Sequence, residues 1–438
     1  MSSLTLKQLN KKKICFLGWG LENRALLDYL LKKKIKAEFT ICDANHNTQK
    51  QQKLSTKIKW RTGENYDKNL EYFDIVFRIA GYPLFSDEIH RAQQHKTIIS
   101  SPTKLFFDLC PSKNIIGVTG TKGKGTSSAL IYEILKASGR KVYFGGNIGY
   151  PMFGFLDKIK KSDWIVLELS SFQLEDLHKS PHIAVITNFT KEHLSSADPS
   201  NPNYHRSLAD YWSAKTGIFR YQNKNDFLVV NLKLATRLNR IIFKNRILFF
   251  KKSNLKSKLI GEHNKENIGA AAQVSKILKI KKDILQKVVE NFVGLEHRLE
   301  LVGEYGGARY YDSSFATTPE TAIIDMKSFS CPIVLIAGGA DKGSGFFALA
   351  REIKKRAKFL VLIDGEGSEK IKKALREINF SFQKLAPAYD MDQAVAIARS
   401  QTEQGDVVLL SPACASFGVF KNYKERGEQF KSKVKSLK

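Results

Sequence analysis

The chain has 438 residues, of which 42% are hydrophobic and 11% aromatic, and its formal net charge is +28. This length exceeds one typical hydrophobic core, so we expect two or three domains. The five cysteines stand far apart, which argues against a disulfide framework or a zinc site and is typical of the reducing cytosol. No run approaches about 18 apolar residues, so neither export nor membrane insertion is expected.

The positive charge is distributed in small groups of lysines along the whole chain. Several groups fall on polar faces of predicted helices, and the short basic C-terminus carries no interleaved aromatic residues. A solvated basic surface that gathers anionic substrates explains this pattern better than a nucleic-acid partner does. A basic nucleic-acid-binding protein stays an alternative, and steep salt-dependent binding to DNA or RNA would identify it.

The first segment alternates strands and helices. An apolar strand over 14–18 ends in Gly18-Trp19-Gly20, a helix follows over 22–33, and a second strand over 38–42 leads to Asp43. This order is typical of the start of a dinucleotide-binding fold, although Asn23 stands where the third glycine of that fingerprint belongs. Asp43 lies at a strand end, where open α/β sheets bind ligands. Strands over 73–78 and 97–100 continue the alternation.

The second segment opens with a candidate phosphate-binding loop. A short strand over 114–116 precedes the stretch GVTGTKGKGT at 117–126, and a helix is predicted from Ser127 to Ser138. Glycines let the backbone approach a polyphosphate, and the helix N-terminus offers unpaired N–H groups. Lys124 is then expected against the β- and γ-phosphates, with a hydroxyl beyond it on Mg²⁺. Gly125 follows the lysine, so Thr126 is the nearest hydroxyl; an ordinary strand-to-helix turn is the alternative.

Polar groups follow two further predicted strands. The strand over 164–167 runs into Glu168, and the strand over 183–189 leads to His193. A carboxylate at a buried strand end is costly unless it is paired, hydrogen-bonded or bound to a metal, and Mg²⁺ prefers oxygen ligands. A strand that simply emerges into water and a structural histidine are the alternatives.

Ser170, Ser171 and Gln173, just after Glu168, could hydrogen-bond a polar substrate. Lys215 falls on a predicted helix, and spacing alone does not distinguish it from a surface lysine.

The third segment, from about residue 301, alternates again and predicts a compact doubly wound domain. Strands are expected over 308–311, 332–337, 359–364 and 407–411, and helices over 346–358, 368–378 and 421–437.

Taken together, the motifs resemble the Mur ligases, and within them the members that add D-glutamate to UDP-N-acetylmuramoyl-L-alanine. The matching stretches occur in the family's order and are found at 117–124, 145–149, 167–175, 187–193, 213–215, 261–267, 294–300 and 411–417. The strings LELSSFQ and SPACAS are the most specific of them. The resemblance implies an α/β protein of three domains, each a mostly parallel sheet flanked by helices: a Rossmann-like domain over 1–110 for the UDP substrate, a P-loop ATPase-like domain over 111–300, and a Rossmann-like domain over 301–438 for the amino acid.

The same resemblance implies roles for individual residues. ATP would be bound by Gly120, Thr121, Lys122, Gly123, Lys124, Gly125, Thr126, Asn267 and Arg298, the last two facing adenosine. Magnesium would be held by Thr126, Glu168, His193 and Lys215, the lysine carrying CO₂ as a carbamate. The catalytic residues would be Lys124, His193 and Lys215. The UDP substrate would contact Gly18, Trp19, Gly20, Asp43, Asn147, Ser170, Ser171 and Gln173, and D-glutamate would contact Thr317, Lys342, Ser416, Phe417 and Tyr423.

The chain departs from the family pattern in three places. Gly125 stands where Ser or Thr is usual, and the stretch Asp312 to Thr317 replaces the familiar Asn-Asp-Ser, so the ribose-contacting carboxylate is shifted or lost. The stretch Ile79 to Pro83 replaces Ser-Pro-Gly near the uridine phosphates.

The expected protein is a cytoplasmic monomer that uses ATP and Mg²⁺ and acts on small molecules. The open alternatives are a sister ligase for another amino acid, a folylpolyglutamate-type ligase and a nucleotide-binding regulator that has lost catalysis.

Overall fold

Three sheets organise the described part of the chain. The computed structural model describes residues 3–48, 58–194, 202–239, 241, 243–341 and 343–437. Each sheet is parallel or mostly parallel and is flanked by helices, as the sequence predicts. Among the described residues every helix is too short or too polar to cross a bilayer.

The first sheet has the strand order β3-β2-β1-β4-β5, and all its strands are parallel. Its elements are β1 (Lys13–Leu17), α1 (Leu21–Lys32), β2 (Glu38–Asp43), β3 (Lys59–Thr62), β4 (Ile75–Arg78), α2 (Asp87–Gln94), β5 (Ile98–Ser100) and α3 (Pro102–Leu109). The chain reverses its direction of winding between β1 and β4, and such a switch point leaves a crevice at the carboxyl ends of the strands. Gly18 and Ile79 follow these two strands at that edge.

The second sheet has the order β11-β10-β9-β6-β8-β7 and is also parallel throughout. Its elements are β6 (Ile115–Thr119), α4 (Lys124–Ala137), β7 (Val142–Gly146), β8 (Trp164–Glu168), α5 (Ser171–Leu174), β9 (Ile183–Ile186), α6 (Leu208–Thr216), β10 (Phe227–Asn231), α7 (Ala235–Leu238) and β11 (Arg246–Phe250), followed by α8 (Glu262–Ile277) and α9 (Lys282–Asn291). Strand β6 lies between β8 and β9, so the segments that follow these three strands share one edge. Helix α4 begins three residues before the predicted Ser127, because Gly123 ends the loop.

The third sheet has the order β12-β13-β17-β14-β15-β16. Its elements are β12 (Glu300–Tyr305), β13 (Ala308–Asp312), α10 (Pro319–Met326), β14 (Ile333–Gly338), α11 (Phe347–Arg356), β15 (Ala357–Ile363), α12 (Glu366–Glu377), β16 (Leu385–Ala388), α13 (Met391–Ser400), β17 (Val407–Leu410) and α14 (Tyr423–Lys435). The edge strand β12 is antiparallel to β13 and is joined to it through Gly306 and Gly307, both at positive φ. Three turns of parallel winding, β13-α10-β14, β14-α11-β15 and β15-α12-β16, account for the predicted alternation.

Contacts group the first two sheets into one compact unit, Met1–Leu255 with Glu266–Val288, and the third sheet into another, Lys256–Lys265 with Val289–Lys438. The domain boundaries predicted near residues 110 and 300 stay predictions.

A buried arginine joins the first two sheets within their unit. Arg78, at the end of β4, is 1% exposed and donates hydrogen bonds to the carbonyl oxygens of Tyr82 at 3.0 Å and Phe172 at 3.2 Å. Its guanidinium also lies 3.5 Å from a carboxylate oxygen of Glu175 and 3.4 Å from one of Asp176. A buried charge requires this degree of pairing, so the contact fixes the first sheet against helix α5.

Candidate active site

The glycine-rich loop between β6 and α4 passes close to its neighbours at two positions. Gly120 has φ +149°, and a Cβ there would lie 1.9 Å from Thr187 Oγ1. Gly123 has φ +79°, and a Cβ there would lie 2.1 Å from Asn267 Oδ1. Only glycine fits both the backbone conformation and the space at these positions.

The start of helix α4 has the geometry of an anion site. The side chain of Lys124 folds back over the loop, and its Nζ donates to the carbonyl oxygens of Gly120 at 3.1 Å and Thr121 at 3.0 Å. Gly123 caps the helix without a side-chain hydrogen bond to the first turn, in which Thr126 stands. Because a glycine has no side chain to cap them, the first N–H groups of the helix, together with the ammonium, favour a phosphate at this end.

Residues after β9 clamp the loop in place. The N–H groups of Thr121 and Lys122 donate to the Asn188 carbonyl oxygen at 3.1 Å and to its Oδ1 at 2.8 Å. Thr187 Oγ1 donates to the carbonyl oxygen of Lys122 at 2.6 Å, and Lys122 Nζ pairs with Glu192 at 2.6 Å. The sequence motif at 187–193 contained Thr187 and Asn188, but only the fold shows that they hold the loop.

Glu168 closes strand β8 and is 3% exposed. One carboxylate oxygen, Oε1, accepts a hydrogen bond from Asn147 Nδ2 at 2.8 Å. The other, Oε2, is buried and has no hydrogen-bond partner within the described ranges. Burying a half-satisfied carboxylate is costly, so this oxygen fits the ligand set of a divalent cation.

His193 follows β9 in the left-handed backbone region, at φ 59°. Although 42% of its side chain reaches the surface, desolvation is the main cause that lowers the pKa of His193 to about 4. The charges of Lys124 and Lys215 lower this pKa further, and Glu192 opposes them. The imidazole is therefore neutral near pH 7, which is the form that binds a metal ion.

Lys215 lies on α6 with 1% of its surface exposed. Its Nζ donates to the Gly120 carbonyl oxygen at 2.8 Å and lies 4.6 Å from the centroid of the Tyr211 ring. Burial, followed by the charge of Lys124, lowers the pKa of Lys215 well below its ordinary value, while Glu168 opposes the shift. The fold thus brings Lys124, Glu168 and Lys215 within electrostatic range of one another, together with His193.

A cleft of about 240 Å³ lies at the switch point of the first sheet. It is lined by Gly20, Leu21, Glu22, Ile79, Ala80, Gly81, Gly146, Asn147, Gly149, Pro151 and Gln173. Asp43 holds the turn at Gly18 to the end of β2. Its Oδ2 accepts a hydrogen bond from the backbone N–H of Trp19 at 2.6 Å, and its Oδ1 accepts one from the backbone N–H of Asn45 at 2.9 Å. Asn147 connects the cleft to the buried carboxylate of Glu168.

The polar residues that follow β8, Ser170, Ser171 and Gln173, contact two different parts of the structure. Ser170 and Gln173 cap helix α5 reciprocally, with hydrogen bonds of 2.9 and 3.2 Å, and Gln173 Nε2 also donates to Glu22 Oε1 at 2.6 Å in the cleft. Burial raises the pKa of Glu22, a residue that sequence reasoning missed because no spacing or motif distinguishes it. Ser171 Oγ instead shares a hydrogen bond of 2.9 Å with the buried His205 Nε2. Of the three predicted substrate contacts, only Gln173 lines the cleft.

The two residues predicted to face adenosine belong to different units. Asn267 lies beside the phosphate-binding loop, with its Oδ1 3.3 Å from Ser127 Oγ. Arg298 belongs to the second unit, and its guanidinium carbon lies 3.7 Å from the centroid of the Phe315 ring.

Four of the five residues predicted for D-glutamate lie on loops and a helix start that meet in the second unit. The loop after β17 holds Ser416 and the exposed Phe417, and it pairs with the loop after β14 through Ala340 and Ala415. The turn of Thr317 joins the same loop, because the N–H of Ala413 donates to the Ala316 carbonyl oxygen at 2.9 Å. Tyr423 begins α14 and meets the Phe315 ring edge-on at 5.1 Å. Lys342 lies outside the described residues.

The departure at Asp312 has a structural counterpart. Asp312 is fully buried, its Oδ2 pairs with His297 Nδ1 at 2.6 Å, and its Oδ1 accepts from the Ser314 N–H at 2.8 Å. Glu300 completes a group with ligand atoms close enough for a metal ion, but Lys431 lies 3.4 Å from its carboxylate. These groups already satisfy one another.

Two protein-family models match parts of the chain. The family model of the Mur ligase middle domain matches residues 118–254, and that of the Mur ligase glutamate ligase domain matches residues 297–414. Three relatives are named UDP-N-acetylmuramoylalanine–D-glutamate ligase: that of Acetivibrio thermocellus is 36% identical and those of Clostridium tetani and Symbiobacterium thermophilum are 35% identical, each match covering 98% of both chains.

Solved structures show the same fold at low identity. The UDP-N-acetylmuramate-alanine ligase MurC of Thermotoga maritima superposes with a TM-score of 0.59 at 19% identity, covering 98% of this chain and 100% of that one. The MurF ligase of the same organism, solved in complex with ADP, gives 0.60 at 16% identity, covering 99% and 98%. With relatives above 30% identity along almost its whole length, the chain belongs to the Mur ligase family.

Proposed function

We propose that this protein is an ATP-dependent ligase that joins D-glutamate to UDP-N-acetylmuramoyl-L-alanine, with release of ADP and phosphate, in peptidoglycan precursor synthesis. One observation carries the proposal: the cleft of the first sheet leads through Asn147 to Glu168, and Glu168 shares its surroundings with Lys124 and Lys215 at the phosphate-binding loop. A substrate seated in that cleft therefore extends toward the loop. The full-length relatives carry the name of this reaction.

Three segments divide the work in this proposal. The segment over 1–110 binds the UDP end at Gly18, Trp19, Gly20 and Asp43. The segment over 111–300 binds ATP, and the segment over 301–438 delivers the amino acid.

The reaction proceeds in two steps. The γ-phosphoryl group of ATP passes to the free carboxylate of the substrate and gives an acyl phosphate and ADP. The amine of D-glutamate then attacks the acyl carbon, and phosphate leaves as the amide forms. Lys124 offsets the negative charge on the phosphoryl oxygens, and the N-terminus of α4 holds the phosphates in line.

Glu168, His193 and Thr126 fit a magnesium site. The unpartnered Glu168 Oε2 and the neutral imidazole of His193 supply the two donors, and Thr126 offers a hydroxyl in the first turn of α4. When bound, magnesium neutralises charge on the transferred phosphoryl group. The chain's own groups keep these donors fixed: Asn147 orients the carboxylate and the loop after β9 carries the histidine.

Lys215 suits carbamate formation. The lowered pKa of Lys215 favours the neutral form of the buried amine, and a neutral amine can add to CO₂ with loss of one proton. The resulting anion would replace a cation beside Lys124 and provide a further oxygen donor.

The D-glutamate site is assigned to Thr317, Ser416, Phe417 and Tyr423, with Lys342 as its cation. Hydroxyl groups and a cation are what a dicarboxylate requires. We further propose that the protein acts as a monomer in the cytoplasm, where ATP is available.

The decisive experiment is a product assay with UDP-N-acetylmuramoyl-L-alanine, ATP and one amino acid at a time. We expect phosphate release and a new amide with D-glutamate only. A comparable response to L-glutamate or to another amino acid would replace this assignment by that of a sister ligase. Phosphate release with a folate substrate would indicate a folylpolyglutamate-type ligase. A lack of turnover with every substrate would indicate a nucleotide-binding regulator that has lost catalysis.

Lys124→Ala provides the matched test of the loop. The variant should lose all ADP formation that depends on both substrates, because the Lys124 ammonium is assigned to offset the charge on the transferred phosphoryl group. Unchanged turnover in this variant would contradict the assignment of the loop.

A further inference from the structure

Three aromatic rings stack beside His193. The ring of His205 lies between Phe172 and Tyr211, at centroid distances of 4.6 and 4.9 Å and interplanar angles of 11° and 30°. The ring of His193 meets the outer two edge-on, at 5.3 Å from Phe172 and 5.8 Å from Tyr211. We call Phe172, His205 and Tyr211 the aromatic stack. His205 and Tyr211 are buried, with exposures of 1% and 0%.

Hydrogen bonds tie the aromatic stack to three segments of the candidate site. The N–H of His205 donates to the carbonyl oxygen of His193 at 2.8 Å, and its Nε2 bonds to Ser171 Oγ, three residues after Glu168, at 2.9 Å. The hydroxyl of Tyr211 lies 3.2 Å from Thr121 Oγ1 in the phosphate-binding loop. The middle ring therefore links the segments after β8 and β9 and, through Tyr211, the loop after β6.

The backbone of His193 needs such support. At φ 59° it occupies a region that residues with a side chain rarely adopt, so surrounding contacts must hold it there. Phe172 and Tyr211 contact the His193 ring edge-on, and the backbone N–H of His205 donates a hydrogen bond to the carbonyl oxygen of His193. A flat ring at position 205 keeps the outer two rings at the spacing that the His193 ring requires.

We propose that His205 is a positioning residue, which through the aromatic stack holds the His193 imidazole in place for the divalent cation. The inference rests on the proposed function, because that function places the cation at Glu168 and His193. His205 itself contacts no substrate. Replacing a residue that orients a metal ligand without touching the metal commonly weakens metal affinity by about 10- to 100-fold.

Two variants of similar size separate the ring from its hydrogen bond. His205→Phe keeps a flat ring between Phe172 and Tyr211 and loses the bond to Ser171. His205→Gln can keep a hydrogen bond to Ser171 and loses the ring. The probe is Mn²⁺, whose binding to the full-length protein in the presence of ADP is measured by electron paramagnetic resonance. Thermal unfolding of each variant is measured in parallel.

We expect the Mn²⁺ dissociation constant to rise about tenfold in His205→Gln and to stay within about threefold of the wild type in His205→Phe. The control is Phe106→Leu. Phe106 is fully buried in the hydrophobic core cluster that also contains Tyr211, but it lies away from the cation site, so this variant should lower the unfolding temperature without changing Mn²⁺ affinity. Should His205→Gln not fold, His205→Leu, which is apolar but not flat, takes its place.

Three results would overturn the proposal: equal Mn²⁺ affinity in all variants, equal weakening in the Phe and Gln variants, or weakening in the Phe variant alone. His193→Ala distinguishes this failure from that of the cation site. If His193→Ala weakens Mn²⁺ binding and His205→Gln does not, only the positioning role fails. If His193→Ala has no effect, the cation assignment fails and the positioning role fails with it, while the product assay still decides the ligase activity.

Discussion

Gly123 offers the sharpest test of the phosphate-binding loop, because the chain contains a matched control. Gly123 and Gly139 stand at the two ends of helix α4, and both have φ +79°. A Cβ at Gly139 would meet nothing within 4 Å, whereas a Cβ at Gly123 would lie 2.1 Å from Asn267 Oδ1. Alanine therefore introduces the same backbone strain at both positions and a collision at only one.

The expected magnitudes follow from this difference. Left-handed backbone with a side chain costs about 1–2 kcal/mol, so Gly139→Ala should lower the free energy of unfolding by that amount. In Gly123→Ala, Asn267 must retreat by about 1.3 Å to reach ordinary contact at 3.4 Å. Loss of its bond to Ser127 adds about 1 kcal/mol. Since misplacement by about 1 Å can cost on the order of 100-fold in rate, we expect turnover to fall by about that factor in Gly123→Ala and to be unchanged in Gly139→Ala.

The assay combines urea unfolding, ADP titration calorimetry and steady-state turnover on both variants. ADP should bind at least about tenfold more weakly to Gly123→Ala than to Gly139→Ala, a difference of about 1.4 kcal/mol. Equal ADP affinity in the two variants would refute the reasoning, because it would mean that the close approach of Asn267 does not shape the nucleotide site.

Three further predictions concern buried charges. The pKa of Lys215 in the folded protein lies well below its value in the unfolded chain, so the unfolded chain binds more protons between these two pKa values and the free energy of unfolding rises with pH through that window. Lys215→Met should flatten the dependence of this free energy on pH in urea unfolding measured from pH 7 to 10. An unchanged slope would contradict the pKa shift. Mg²⁺ at 100 times its dissociation constant should stabilise the ADP-bound protein by about 2.7 kcal/mol and so raise its unfolding temperature; Glu168→Gln should abolish this rise, with EDTA as the control. Arg78→Met should lower stability by about 3–5 kcal/mol, because Glu175 and Asp176 lose their buried partner; a loss below 1 kcal/mol on thermal or urea unfolding would show that the pairing is dispensable.

The sequence by itself determined the local elements of the second sheet. The apolar run before Gly117, the glycines and Lys124 predicted a strand, a loop and a helix, because strand periodicity, glycine turns and helix starts are encoded within a few residues. The resemblance to a known family extended this to Lys215 and to the D-glutamate contacts, which no spacing distinguishes. The helix start at Lys124 differed from the prediction because the glycine before it, not the apolar periodicity, sets the boundary.

Only the tertiary structure decided which residues share a site. Strand β6 lies between β8 and β9, and this non-local pairing brings Glu168 and His193 to the loop although 44 and 69 residues separate them from Lys124. His205 and Glu22 carry no sequence signal, since a histidine or a carboxylate becomes part of a site only through the neighbours that bury it. Burial, unpartnered oxygens and shifted pKa values arise from contacts between distant segments, and a local pattern does not contain them.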